Sequence, residues 1–194
     1  MDAQATSTRD RIVQAAMELF WRKGYGSTSI ADILETASVN SGSLYYFFKG
    51  KQELLVAVLE AYRDGIGPML LDPSWGEVAD PIEKVFALLA TYRRLLVDTD
   101  CFYGCPIGSL ALELHEPDPE VRELIAANFA GWTEAVKGCL DKAGMGERTD
   151  TKALAELVLT VMEGAVMQAR TYRDISHYDR AVDQLRNYLA CLNR

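Results

Sequence analysis

Apolar residues recur along this chain at the three-to-four-residue spacing of a helix, and no stretch shows strand alternation. Ile12, Ala15, Ala16, Leu19 and Phe20 make the first stripe, with Thr6 or Thr8 as cap candidates and Gly24 as the stop. A short helix is predicted from about Thr28 to Thr36, with Ile30, Ile33 and Leu34 inward. A third runs from about Ser41 to Phe47, capped by Asn40. A fourth opens near Lys51 and carries Leu54, Leu55, Val58 and Tyr62. Between Ile66 and Asp80, Pro68, Pro73 and two glycines predict a loop and a domain junction. Asp80-Pro81 then opens a helix to about Val97, since proline suits the first helical position. A short helix spans about Ile107 to Leu114, and Asp118-Pro119 opens a long one to about Ala143. Asp150 opens another to about Arg173, and Ser176 the last to about Leu192. The pattern describes an all-α protein of about nine helices. The expected domains are 1–52, a three-helix domain, and 53–194, a larger helical domain.

Composition changes this picture little. At 194 residues the chain can bury a sizeable core. Hydrophobic residues at 49% and charged residues at 25% are ordinary for a globular protein. No apolar run approaches the roughly 18 residues of a membrane span. Met1 to Asp10 has no apolar core of a signal peptide, so the expected compartment is the cytoplasm, with no membrane partner. The four cysteines, Cys101, Cys105, Cys139 and Cys191, form no Cys-x-x-Cys pair. His115 and His177 complete no zinc spacing, so neither a metal nor a cofactor is expected.

Charge changes it more. A net charge of −8 argues against nucleic acid until the chain is divided. Residues 1–52 hold six bases and five acids, and residues 53–194 carry the remaining −9. Phosphate attraction depends on the local field, so the division permits DNA binding at the N-terminal end.

The second and third helices have the spacing of a helix-turn-helix, whose second helix lies in the major groove. Ile30, Ile33, Val39 and Leu44 can share a small core with Leu19 and Phe20. Ser41, Ser43, Tyr45 and Tyr46 are then left outward, and Gly42 allows close approach. Hydroxyls can reach phosphates or base edges, and an aromatic face can pack on a thymine methyl. Lys51 places a cation near the positive end of the fourth helix, unfavourable until a phosphate arrives. A helical hairpin whose aromatics pack on the second domain is the other reading of the same residues.

Residues 8–55 resemble the DNA-binding domain of the tetracycline-repressor (TetR) family of transcriptional regulators. The matching positions are Phe20, Gly24, Thr28, Ser29, Ile30, Ile33, Val39, Gly42, Leu44, Tyr45, Phe48, Lys49, Lys51 and Leu54. The resemblance implies that Thr28 and Lys51 touch phosphates. It puts Asn40, Ser41 and Ser43 at the groove end of the recognition helix, and Tyr45 and Tyr46 on bases or backbone. It also implies a double-stranded operator, a small-molecule effector and no enzymatic role. Two positions depart. Ser38 stands where a turn glycine with φ > 0 is usual, at a cost of about 1 kcal/mol. Phe47 stands where a phosphate-binding His or Tyr is common.

In the second domain, Leu154, Leu157, Val158, Val161, Met162 and Ala165 cover more of one helix than a single core face needs. Ala181, Leu185, Tyr188, Leu189 and Leu192 stripe the next. A homodimer through these two helices, about 150–173 and 176–192, is expected, as the family resemblance also implies; an intrachain core is the alternative. Phe86, Tyr92, Phe102, Tyr103, Trp132 and Met162 are candidates for an apolar ligand cavity. Asn128 and Gln168 fall on buried stripes, where an unpaired amide needs a partner. Cys105 precedes a helix start, where a thiol pKa can fall, so Cys101 and Cys105 are candidate sensor thiols. A helical ligand-binding or thiol-sensing protein without DNA is the alternative function. A thiol enzyme using Cys105 and His115 has no further motif to support it.

Overall fold

A computed structural model describes residues 7–192. Thr6 and most of the Met1–Asp10 stretch lie outside that range. The described residues form α1 (Thr8–Lys23), α2 (Ile30–Ala37), α3 (Ser41–Phe47), α4 (Lys51–Ile66), α5 (Asp72–Trp75), α6 (Pro81–Asp98), α7 (Pro106–Glu113), α8 (Pro119–Lys142), α9 (Thr151–Tyr172) and α10 (Ser176–Leu192). Nine of these exceed one turn, and no strand occurs among the described residues.

Local chemistry sets the ends. Ser7, not Thr8, caps α1, its hydroxyl accepting from the Asp10 N–H at 3.1 Å. Gly24 ends that helix at φ 85, a conformation open to glycine. Helix α2 starts at Ile30, two residues after the predicted start, because Ser29 and Asp32 make a reciprocal capping box. Ser38 does take the left-handed conformation, φ 52. The Arg11 guanidinium donates to the carbonyls of Ala37 and Ser38 at 2.6 and 2.9 Å, placing a cation at the negative end of α2.

The expected loop at 66–80 is largely helical. A π-helical turn, Gly67–Leu71, runs into α5. Pro68 and Pro73 open these turns, where no N–H donor is required, so they start helix rather than break it. The Ser74 hydroxyl bonds the Leu70 carbonyl at 2.6 Å, and Trp75 Nε1 donates to the Lys84 carbonyl at 3.0 Å.

By packing, the chain divides into two compact units. The first runs to Asp64 and takes in Ser109–Asn128. Its core includes Ile12, Leu19, Ile33, Leu44, Leu54 and Leu59, all nearly or fully buried. The second comprises Gly65–Gly108 and the chain from Phe129 onward. Leu88, Leu96, Val136, Leu140, Val158 and Met162 fill its core. There the buried Tyr178 of α10 donates to the Leu89 carbonyl of α6 at 2.8 Å. Arg93–Asp179 and Arg186–Glu83 pair the same two helices at the surface.

Candidate nucleic-acid interface

Helix α3 is seven residues long and has two unlike faces. Leu44 is fully buried, whereas Tyr45 and Tyr46 are 55% and 83% exposed. Asn40 Oδ1 accepts from the Ser43 N–H at 2.8 Å and from its hydroxyl at 3.1 Å, which fixes the N-terminal end. Ser41 and Gly42 are exposed beside it. Phe47, 38% exposed, meets the Tyr46 ring edge-on at 4.8 Å. It contributes apolar surface and no donor. Phe48 turns inward, with the Arg9 guanidinium 5.4 Å from its ring centre. The result is a short helix that presents aromatic rings and hydroxyls outward on an apolar anchor.

Two sequence candidates are engaged elsewhere. Thr28 is 1% exposed, and its hydroxyl donates to the carbonyls of Gly24 at 2.7 Å and Leu19 at 3.3 Å. It lies before the α2 cap, where it ties the end of α1 to the turn. The Lys51 ammonium donates to the carbonyls of Tyr25 and Thr28 at 2.8 and 2.9 Å and sits 4.4 Å from the Tyr25 ring centre. Carbonyl dipoles and a π face therefore compensate the charge expected to await a phosphate.

The same turn holds a contact that sequence reading missed. The Glu113 carboxylate, at the end of α7, accepts from the Tyr25 N–H at 2.9 Å and the Gly26 N–H at 2.6 Å. A Cβ at Gly24 or Gly26 would stand 3.0 or 3.1 Å from its oxygens. Two flanking glycines thus let the carboxylate settle on the backbone, the anion nest of successive N–H groups. Burial and the charge of Glu113 raise the Tyr25 phenol pKa.

The candidate pocket residues separate. Phe86 is buried beneath the Arg186 guanidinium, 3.7 Å from its ring centre. Tyr92, Trp132 and Met162 are buried in the second unit. Phe102 is exposed and meets the Tyr103 ring edge-on at 5.0 Å, while Tyr103 is half-buried. Asn128 is buried in the first unit, and its amide donates to the carbonyls of Leu59 and Leu124 at 3.0 and 2.9 Å. Gln168 lies on an exposed face and not on the buried stripe expected of it.

Cys101 and Cys105 are both buried. Burial and the Asp100 charge raise the Cys101 thiol pKa. Burial and the nearby Glu163 push Cys105 far above the ordinary thiol range, against N–H groups of Gly108 and Ile107 that act to lower it. The expected lowering at the α7 start is thus reversed. Cys105 neighbours Glu163, not an imidazole; His115 is exposed.

On α9 and α10 an apolar strip faces outward. Leu157 and Tyr188 are exposed, Val161 is half-buried, and a Cβ at Gly164 would meet nothing within 4 Å. Among the described residues, no helix is long and apolar enough to cross a membrane.

Comparison with known proteins agrees with this geometry. Residues 12–58 match the model for bacterial regulatory proteins of the tetR family. Residues 81–184 match the C-terminal domain of LmrA/YxaF-like transcriptional regulators. An HTH-type transcriptional regulator of Mycobacterium tuberculosis (strain CDC 1551 / Oshkosh) is 30% identical over 187 residues, covering 93% of each chain. The HTH-type transcriptional regulator LmrA of Bacillus subtilis is 26% identical over 168 residues, covering 86% of this chain and 88% of LmrA. A TetR transcriptional regulator from Chloroflexus aurantiacus superposes with a TM-score of 0.79 at 26% identity, over 94% of each chain.

Proposed function

This chain belongs to the TetR family of DNA-binding transcriptional regulators, and from that membership we propose that it is a repressor whose homodimer leaves a palindromic operator when a small-molecule effector binds. The observation that carries the reading is α3: two exposed tyrosines on a capped helix whose opposite face is anchored by a fully buried leucine. In a helix-turn-helix such a face enters the major groove. Tyr45 and Tyr46 contact bases or sugar-phosphate, and Asn40, Ser41 and Ser43 line the groove end. Thr28 and Lys51 act through the turn they fix, and Lys51 keeps one N–H for a phosphate. Residues 1–52 read DNA, and residues 53–194 bind effector and dimerise, in the cytoplasm.

The outward strip of Leu157, Val161, Gly164 and Tyr188 supports pairing through α9 and α10. The open face at Gly164 favours close helix approach. A dimer presents two recognition helices to half-sites about 34–36 Å apart, and an effector acts by favouring a dimer that no longer matches that spacing.

Footprinting on the DNA flanking the gene tests this. Protection of a palindrome is expected, with affinity falling steeply as salt rises. Tyr45→Ala is expected to weaken specific binding by about tenfold or more, from a contact of about 1–3 kcal/mol. No protected palindrome at low salt, or full affinity in Tyr45→Ala, sinks the reading.

A further inference from the structure

The second unit encloses a polar cluster that its own chain does not complete. It brings together Tyr92 of α6, Cys105 before α7, Gly108 in α7, Trp132 of α8 and Glu163 of α9. Glu163 Oε1 is buried and has no hydrogen-bond partner, and neither has the indole Nε1 of Trp132. Trp132 is only 4% exposed. The Tyr92 phenol lies beside it. The Cys105 thiol lies beside the Glu163 carboxyl, and the Gly108 N–H reaches Cys105 Sγ at 3.5 Å. A Cβ at Gly108 would collide with the carboxyl, so glycine there lets Glu163 lie against the α7 backbone. The carboxyl is therefore held in place with one oxygen unsatisfied.

An unmade hydrogen bond at a buried carboxyl costs about 1–3 kcal/mol or more. Burial raises the Glu163 pKa. Beside it are a thiol and a phenol, with an indole next to the phenol, and the two aromatic rings favour a cation over an anion. We propose that Glu163 and Trp132 form the binding site for the effector's charged end, and that this end is an organic ammonium on an apolar body. The ammonium donates to Glu163 Oε1, and the aromatic walls of Tyr92 and Trp132 take the apolar body. On binding, any proton on the carboxyl passes to solvent, so the pair is ionised. A carboxylate ligand is rejected by the same oxygen. This rests on the effector reading above and specifies its chemistry.

The test uses the full-length protein and two probes of the same shape, 2-phenylethylammonium and 3-phenylpropionate. Binding is followed by calorimetry and by the shift in thermal unfolding. The ammonium probe is expected to bind and raise Tm, and the carboxylate to do neither. Glu163→Gln is expected to lose about 10–100-fold in ammonium affinity, the worth of a charge-assisted hydrogen bond. Its operator binding without probe checks its fold. If Glu163→Gln does not fold, the contrast between the two probes on the unaltered protein still decides. Equal binding of both probes, binding of neither, or unchanged affinity in Glu163→Gln overturns the proposal. An ammonium probe that binds but leaves the operator occupied sinks effector release and upholds the site. An operator released by carboxylates while ammonium ions fail to bind sinks the site and upholds effector release.

Discussion

At the two ends of α2, Thr28, Lys51 and Arg11 each donate to two backbone carbonyls. In the second unit, Trp132 Nε1 and Glu163 Oε1 have no partner at all. Buried polar groups thus do different work in the two units. In the first unit polar side chains are spent on shape, and the groups facing solvent are rings and short hydroxyls. In the second, a carboxyl and an indole are positioned by packing and left incomplete. A buried polar group with its bonds made is scaffold. One without them is a candidate contact for something absent from the chain.

The contrast breaks most easily at Gly108. Replacing it with Val drives side-chain carbon into the Glu163 carboxyl, an overpacking expected to cost about 1–3 kcal/mol in urea unfolding. Unchanged stability shows that Glu163 is free to move, and the second unit's carboxyl is then not pre-positioned. Thr28→Val comes next. It keeps the shape but leaves two carbonyls without their donor, a loss of about 1 kcal/mol in stability. If stability holds while operator affinity falls, Thr28 is a phosphate contact and not scaffold.

The smallest effect belongs to Asp32. Hydrogen bonds from the Ser29 backbone and hydroxyl, then from Lys23, hold its pKa at about 2, below its ordinary value. A depressed carboxylate contributes stability above its unfolded pKa, near 4, that is lost as pH falls through its folded one. Acid unfolding of the unaltered protein is therefore expected to be steeper between about pH 4 and 2 than that of Asp32→Asn. Equal slopes remove Asp32 as a titrating part of the α2 cap.

What was legible in the sequence was local. Helix periods, the Asn40 cap and the left-handed Ser38 each follow from a few adjacent residues. The exposed Tyr45 and Tyr46 follow from the phase of a helix whose inward residue is Leu44. Other positions have partners that no local pattern shows. Thr28 reads as a helix start until its hydroxyl is seen reaching back to Leu19. Lys51 reads as an open cation until the Tyr25 and Thr28 carbonyls come to it. Glu163 gives no local sign of its surroundings, because Cys105 and Gly108 are far away in the chain. Glu113 gives no signal at all. Its donors precede it by 88 and 87 positions, and only the two glycines beside Tyr25 hint that something large must fit there.

That carboxylate has a consequence for anyone who would re-engineer the regulator. A graft that carries another relative's operator preference is naturally cut after the fourth helix, near Asp64. Such a cut severs Glu113 from the Gly24–Tyr25–Gly26 backbone it serves. The first packing unit is discontinuous in the gene, and Ser109–Asn128 belongs to it.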